Sequence, residues 1–291
     1  MQFFEAQDGA RLAFRDEGSG LPLLALAGLS RDGRDFDYLA RHLSHDIRLI
    51  RLDCRGRGQS AWTAPQTYTL AQEMADAVAL LDHLEIERVA VIGTSRGGLI
   101  GMLMAQLHRH RVLGLCLNDV GPVLERAGLE RIGMYLGCPP KFETLEEVAD
   151  RLPSVSPGFS GVSVMRWAEE AVRHFEQLDG SVGLTYDPAL RGVFQAAIAA
   201  PLPEAWHLFE ACTGLPVALV RGTHSDVLSA STVQIMRQLR PDMLVAEVPG
   251  RGHVPFLDEP EALACIGAWV QQVRVFDSSV LSHPAVDQAL D

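Results

Sequence analysis

RVAVIGTSRGGLIGMLMAQLH, residues 88–108, is the stretch on which the fold turns. It begins as a short run of β-branched and small apolar residues and ends as an apolar helical pattern, with Gly93-Thr94-Ser95-Arg96-Gly97 between. A nucleophilic serine must leave the backbone at a sharp strand-to-helix turn, and glycines two residues to either side leave room for it. The bland alternative is a glycine-rich turn with an incidental serine. The flanking strand and helix, expected from Gly98 to about His108, favour the nucleophile.

Working outward, apolar runs recur at 21–28 (LPLLALAG), 47–53 (IRLIRLD), 88–95 and 112–119 (VLGLCLND), and again at 215–222 (LPVALVRG) and 243–250 (MLVAEVPG). Near-continuous strands of this kind belong to a parallel sheet covered on both faces. Helical patterns lie between them: Leu70, Met74, Val78, Leu81 and Leu84 share one face behind a capping box of Thr69 and Gln72, and later helices are expected near 230–240 and from about Glu259 to Val275. The fold class is therefore α/β, a mostly parallel sheet flanked by helices. From Pro122 to Ala211 the rhythm breaks into helical pattern interrupted by prolines, with no strong strand. This reads as a helical cap inserted after the sixth strand, roofing the carboxyl ends of the strands where ligands of open α/β sheets sit. The expected partition is a core of 1–122 and 211–276, a cap of 123–210 and a loosely docked tail of 277–291.

A serine hydroxyl is inert at neutral pH without a base, and the base needs an acid to hold it. His253, in the glycine-rich Pro249–His253 loop after a late strand, is the expected base, and Asp226, in the loop after the strand PVALV, the expected acid. The order serine, acid, histidine fits. Asp119, at the end of LGLCLND, is the rival acid, because its loop borders the same end of the sheet. His42, His45, His83 and His174 read as solvated helix residues and His224 as a neighbour of the acid. His108 and His110, beside Arg109 and Arg111, complement a helix C-terminus rather than bind metal. The backbone N–H groups of Arg96 and Leu29 are the expected oxyanion donors. The Arg96 side chain could point inward as an anion anchor or outward as surface charge. Asp53–Ser60, D-x-R-G-x-G-x-S, reads as a charged structural bend with no catalytic part.

The 291 residues are 47% hydrophobic, and 37 acidic against 25 basic side chains give a formal charge of −12 without a basic run. Nucleic acid and membrane surfaces are poor partners for such a chain. The first residues lack the pattern of a signal peptide, and five scattered cysteines, never spaced C-x-x-C, suggest free thiols; a cytoplasmic chain is expected.

The Gly28 turn, the Asp53–Ser60 segment, the Ser95 elbow, the strand before Asp226 and the G-x-G-H of 250–253 together resemble the α/β-hydrolase superfamily, in the branch of esterases, lactonases and C–C bond hydrolases. Ala27-Gly28 stands where the family commonly has His-Gly. The resemblance covers about residues 2–122 and 211–276 and implies an enzyme without cofactor, carrying a helical cap; a small-molecule substrate and a monomer or homodimer are expected. A carboxylic ester of small to medium, partly apolar character, cleaved through an acyl-enzyme, is the expected substrate. Lactone or C–C (β-ketolytic) hydrolysis with the same residues, or a binding protein without turnover, are the alternatives. In the cap, Met134, Tyr135, Trp167 and Trp206, with Phe159, Phe175 and Tyr186, offer an aromatic lining, unless they form the cap's own core.

Overall fold

The computed structural model describes residues 1–282. In chain order its elements are β1 (Gln2–Glu5), β2 (Arg11–Gly18), β3 (Leu21–Leu26), α1 (Asp37–Ala40), β4 (Ile47–Leu52), α2 (Leu70–His83), β5 (Val89–Thr94), α3 (Arg96–Leu107), β6 (Val112–Asn118), α4 (Arg126–Tyr135), α5 (Leu145–Val155), α6 (Val164–His174), β7 (Phe175–Leu178), β8 (Ser181–Leu184), α7 (Leu190–Ala199), α8 (Trp206–Glu210), β9 (Val217–Gly222), α9 (Ala230–Leu239), β10 (Leu244–Val248) and α10 (Pro260–Ser282).

The strands β1-β2-β4-β3-β5-β6-β9-β10 form one sheet, antiparallel at β1–β2 and β2–β4 and parallel from β4 onward. Each central strand buries both faces, so alternate residues enter separate cores. Leu24, Leu26, Val89, Val91, Val217 and Leu219 pack in one core with Leu80, Leu81, Ile100, Met104 and Met236 from the helices of that face. Leu23, Ala25, Ala90, Ile92, Ala218 and Val220 pack in the other with Phe36, Leu39, Ile266, Trp269 and Val273. On α2 the expected stripe is present, and Thr69 caps it by accepting from the Gln72 N–H at 3.2 Å. The Gln72 side chain turns to Asp76 (3.1 Å) instead of returning to Thr69.

The structure departs from the sequence reading in three places, two of them in the cap. The cap holds an antiparallel hairpin, β7–β8, turned at Asp179-Gly180, where only helix was expected. The short α8 lies within the residues assigned to the cap, yet its Leu208 and Phe209 join the main core. At the far end, α10 continues to Ser282, so residues 277–282 are helix rather than loose tail; the remainder of the expected tail, 283–291, lies outside the described residues. The cap is tied to the core where it faces the strand ends: Ser160 N–H donates to the Gly250 carbonyl (3.0 Å), Arg166 pairs with Asp258 (2.5 Å), and the Tyr68 hydroxyl donates to Asp187 (2.6 Å). Among the described residues no helix is long and apolar enough to cross a membrane.

Candidate active site

Ser95 sits between β5 and α3 at φ 50°, ψ −115°, a backbone region unfavourable to a residue with a side chain. The two flanking glycines make that turn possible. A Cβ on Gly93 would come within 2.4 Å of the Gly97 backbone, and one on Gly97 within 2.0 Å of the Leu26 carbonyl. The turn is pinned by the Ser95 N–H, which donates to the Asn118 carbonyl at 2.9 Å.

His253 reaches this serine from the loop after β10, its Nε2 2.9 Å from Ser95 Oγ. Its Nδ1 lies 2.6 Å from Oδ2 of Asp119, a fully buried carboxylate immediately after β6. The acid against His253 is therefore Asp119 and not Asp226. Asp119 stands at φ 54°, which turns its side chain toward the histidine loop. It also accepts the Gly222 N–H at Oδ1 (2.8 Å) and the Ser225 hydroxyl at Oδ2 (2.5 Å), so each carboxylate oxygen is engaged. Asp226 lies farther along its loop and pairs at 2.8 Å with Arg131 of α4. Asn118, next to the acid, donates from Nδ2 to Thr94 Oγ1 (3.1 Å) and to the Pro255 carbonyl (3.2 Å), joining neighbours of all three residues.

The two expected oxyanion donors flank this serine. Arg96 is the first residue of α3, so its N–H is among those a helix leaves without an internal partner. Leu29 follows Gly28, whose added Cβ would touch both Ser95 Cβ and Arg31 Cδ at 3.8 Å. The Arg96 side chain is no anion anchor: it donates to Glu73 Oε2 at 2.6 Å and to the Tyr68 carbonyl at 3.1 Å. Beside the Gly28 turn, Leu29 packs with Ile132, Val193 and Phe194 against Tyr68, Leu136, Tyr186 and Leu190, an apolar wall shared by core and cap. Sequence reasoning missed Ile132, Val193 and Phe194, which carry no signal beyond helical periodicity.

Of the aromatic lining expected from the cap, Met134 faces outward, 71% exposed. Trp167 is buried against Phe159, and Trp206 packs on Phe209 with its Nε1 donating to Glu204, so both serve packing. Tyr135, at the end of α4, is 54% exposed. The surrounding protein pushes its hydroxyl up from the ordinary tyrosine value, Asp226 adds to this, and Arg31 and Arg131 oppose it. His174, expected to be solvated, instead joins cap to core, with Nε2 2.8 Å from Arg31 Nη1 and 3.0 Å from Glu170. Burial works to raise Glu170, but His174 and Arg31 outweigh it and hold the carboxyl down at about 2. Arg31 and Glu170, with Asp35, Thr94, Asn118 and the segment Val254–Leu257, line a small cavity beside the serine turn. A roomier cleft of about 650 Å³, edged by Arg15, Arg34, Trp62 and Val172, contains none of Ser95, Asp119 and His253.

Similarity to known proteins agrees with the fold. Residues 23–264 match the model of the alpha/beta hydrolase family. The chain is 40% identical over 251 residues to the 3-hydroxybutyrate-oligomer hydrolase of Cupriavidus necator, covering 83% of this chain and 85% of the relative. It is 26% identical to the 2-(acetamidomethylene)succinate hydrolase of Mesorhizobium japonicum, over 83% of this chain and 84% of that one. An alpha/beta hydrolase crystal structure from Novosphingobium aromaticivorans superposes with a TM-score of 0.87 at 37% identity, covering 93% of this chain and 97% of the other. The elbow, the strand order and these likenesses coincide, and the chain belongs to the alpha/beta hydrolase family of hydrolytic enzymes.

Proposed function

We propose that this protein cleaves a carboxylic ester of a small to medium, partly apolar acid through an acyl-enzyme on Ser95. The observation that carries this is the unbroken relay from Ser95 Oγ through His253 to Asp119, at 2.9 and 2.6 Å. Ser95 Oγ attacks the ester carbonyl carbon while His253 Nε2 takes its proton, and the Asp119 carboxylate holds the Nδ1–H tautomer and balances the imidazolium. The carbonyl oxygen becomes an oxyanion, received by the N–H groups of Arg96 and Leu29. Collapse expels the alcohol, protonated by His253. Water, deprotonated by the same nitrogen, then attacks the acyl-enzyme and releases the acid and Ser95.

The apolar cluster of Leu29, Ile132, Val193 and Phe194 beside the Gly28 turn supports a partly apolar acyl group. The 40% identical relative, named for 3-hydroxybutyrate oligomers, points the same way, to short oligoesters of a hydroxy acid. The five unpaired cysteines suit a reducing cytoplasm.

The test follows release of p-nitrophenol from acetate to octanoate esters, and of acid from a 3-hydroxybutyrate trimer, by the wild type and Ser95→Ala. Turnover that falls in the variant by on the order of 10⁵-fold or more supports the reading. A wild type inert on every ester, or a Ser95→Ala variant that keeps its activity, overturns it.

A further inference from the structure

Beneath the serine turn lies a buried ion network that the relay does not use. Glu73, on the inner face of α2 and fully buried, accepts from Arg57 Nη1 at Oε1 (2.7 Å) and from Arg96 Nε at Oε2 (2.6 Å). Arg57, also buried, donates from Nε to the Leu29 carbonyl (2.8 Å) and from Nη1 to the Arg55 carbonyl (2.6 Å). Arg96 donates from Nη2 to the Tyr68 carbonyl (3.1 Å). One carboxylate thus connects, through two guanidinium groups, the two residues whose amides flank Ser95.

A buried carboxylate is costly unless its charge is matched, and here two cations match it with a donor on each oxygen. Arg57 and Arg96 keep the Glu73 carboxyl below the usual range against the burial that would raise it. The cap reaches the same network. Asp187 accepts from the Tyr68 hydroxyl (2.6 Å), the Gly58 N–H donates to the Thr185 carbonyl (2.8 Å), and Tyr186 pairs with Arg57 through the backbone alone. The two elements that carry the amides, the turn after β3 and the start of α3, are separate in sequence. A donor that drifts by an ångström from the place where negative charge develops loses much of its effect.

We propose that Glu73, with Arg57, is a positioning residue of the oxyanion site: it clamps the Leu29 turn and the first turn of α3 at the separation the transition state requires. It touches no reacting atom. The inference rests on the ester-hydrolase reading and concerns the transition state, since what Arg57 and Arg96 hold is the backbone of the Leu29 turn and the start of α3, and Ile132, Val193 and Phe194 of the apolar wall lie outside the network.

The experiment compares wild type, Arg96→Met, Arg96→Lys and Glu73→Gln on the best ester from the assay above. Each is also titrated with a trifluoromethyl ketone, which forms a tetrahedral oxyanion on Ser95, and with the product acid, which does not. Arg96→Met is expected to lower kcat about tenfold, a fraction of the 10²–10³ that loss of a whole donor costs. Its KM and product inhibition should stay within about twofold while the ketone weakens in step with kcat. Arg96→Lys should recover only part, because an ammonium cannot hold Glu73 and the Tyr68 carbonyl together in the planar fork of a guanidinium. Glu73→Gln should exceed Arg96→Met in the same direction; where it fails to fold, the two Arg96 variants decide. Unchanged kcat and ketone affinity in Arg96→Met, or equal losses in ketone and product binding, overturn the proposal. A wild type without ester activity fails the underlying reading instead, and the two failures are distinct.

Discussion

The turns after β6 and β9 lie side by side at the carboxyl edge of the sheet, and each carries an aspartate that precedes His253 in the chain. They do different work. Asp119 follows its strand directly, at φ 54°, and its carboxylate enters the interior to meet His253 Nδ1. Asp226 stands four residues beyond Gly222, the last residue of β9, and turns to Arg131 on the cap. The β9 loop still serves the site, but with donors: the Gly222 N–H and the Ser225 hydroxyl both bond to Asp119. A carboxylate in the interior needs more than one such partner to remain charged, so one loop holds the charge and the other makes it tolerable. Sequence position alone makes the two aspartates equivalent; their backbone geometry and partners separate them.

The sharpest way to break this comparison is Asp119→Asn. The amide would donate to Nδ1, leave the proton on Nε2 and so disable the base, and kcat is expected to fall by about 10⁴, the effect of this change in the serine-protease relay. Steady-state hydrolysis of the best p-nitrophenyl ester measures it, with a thermal melt to confirm folding. A loss of less than about tenfold would remove Asp119 from the relay. A smaller effect should follow Ser225→Ala, which takes one charge-assisted hydrogen bond from the same carboxylate. About 1.5–3 kcal/mol is the usual scale of such a bond, and the expected result is a fall in kcat of about tenfold with KM held. If kcat is unchanged, the β9 loop does not support the acid.

How far these features could be read beforehand depended on whether local pattern or tertiary approach set them. The central strands were legible because burial on both faces leaves an unbroken apolar run, and the Ser95 elbow because its turn demands glycine at 93 and 97. His253 was legible from its glycine-rich loop. The β7–β8 hairpin had a readable signal in Asp179-Gly180, a dipeptide that favours tight hairpin turns, but the surrounding prolines and helices masked it. The β1–β2 pair carries a weaker signal than the central strands: β1 is a four-residue edge strand, and β2, eight residues long and paired on both sides, ends in Arg15-Asp16-Glu17-Gly18 rather than in an apolar run. Glu73 was hidden for another reason. It lies beside the apolar stripe of α2, where an acid is ordinarily solvated, and only the approach of Arg57 and Arg96 from two other elements makes it buried. The acid fell between these cases, since both aspartates occupy strand ends and nothing in the chain records which one has Gly222 and Ser225 as donors.

Asp226→Asn should have the smallest effect, and its smallness tests the comparison from the other side. Asp226 and Arg131 are partly open to solvent, with side chains 24% and 41% exposed, so their 2.8 Å pair is screened and is expected to contribute no more than about 1 kcal/mol. A double-mutant cycle with Arg131→Met, read by denaturant unfolding, should return a coupling below that figure, and kcat on a neutral ester should stay within about threefold of wild type. The carboxylate is also one of the influences on the Tyr135 hydroxyl, which it raises. Its neutralisation should therefore lower the pH at which Tyr135 ionises, a change that difference absorbance near 295 nm would detect. Should Asp226→Asn instead match Asp119→Asn in its loss of kcat, the two carboxylates would share the histidine in turnover, and the division of labour between the β6 and β9 loops would fail.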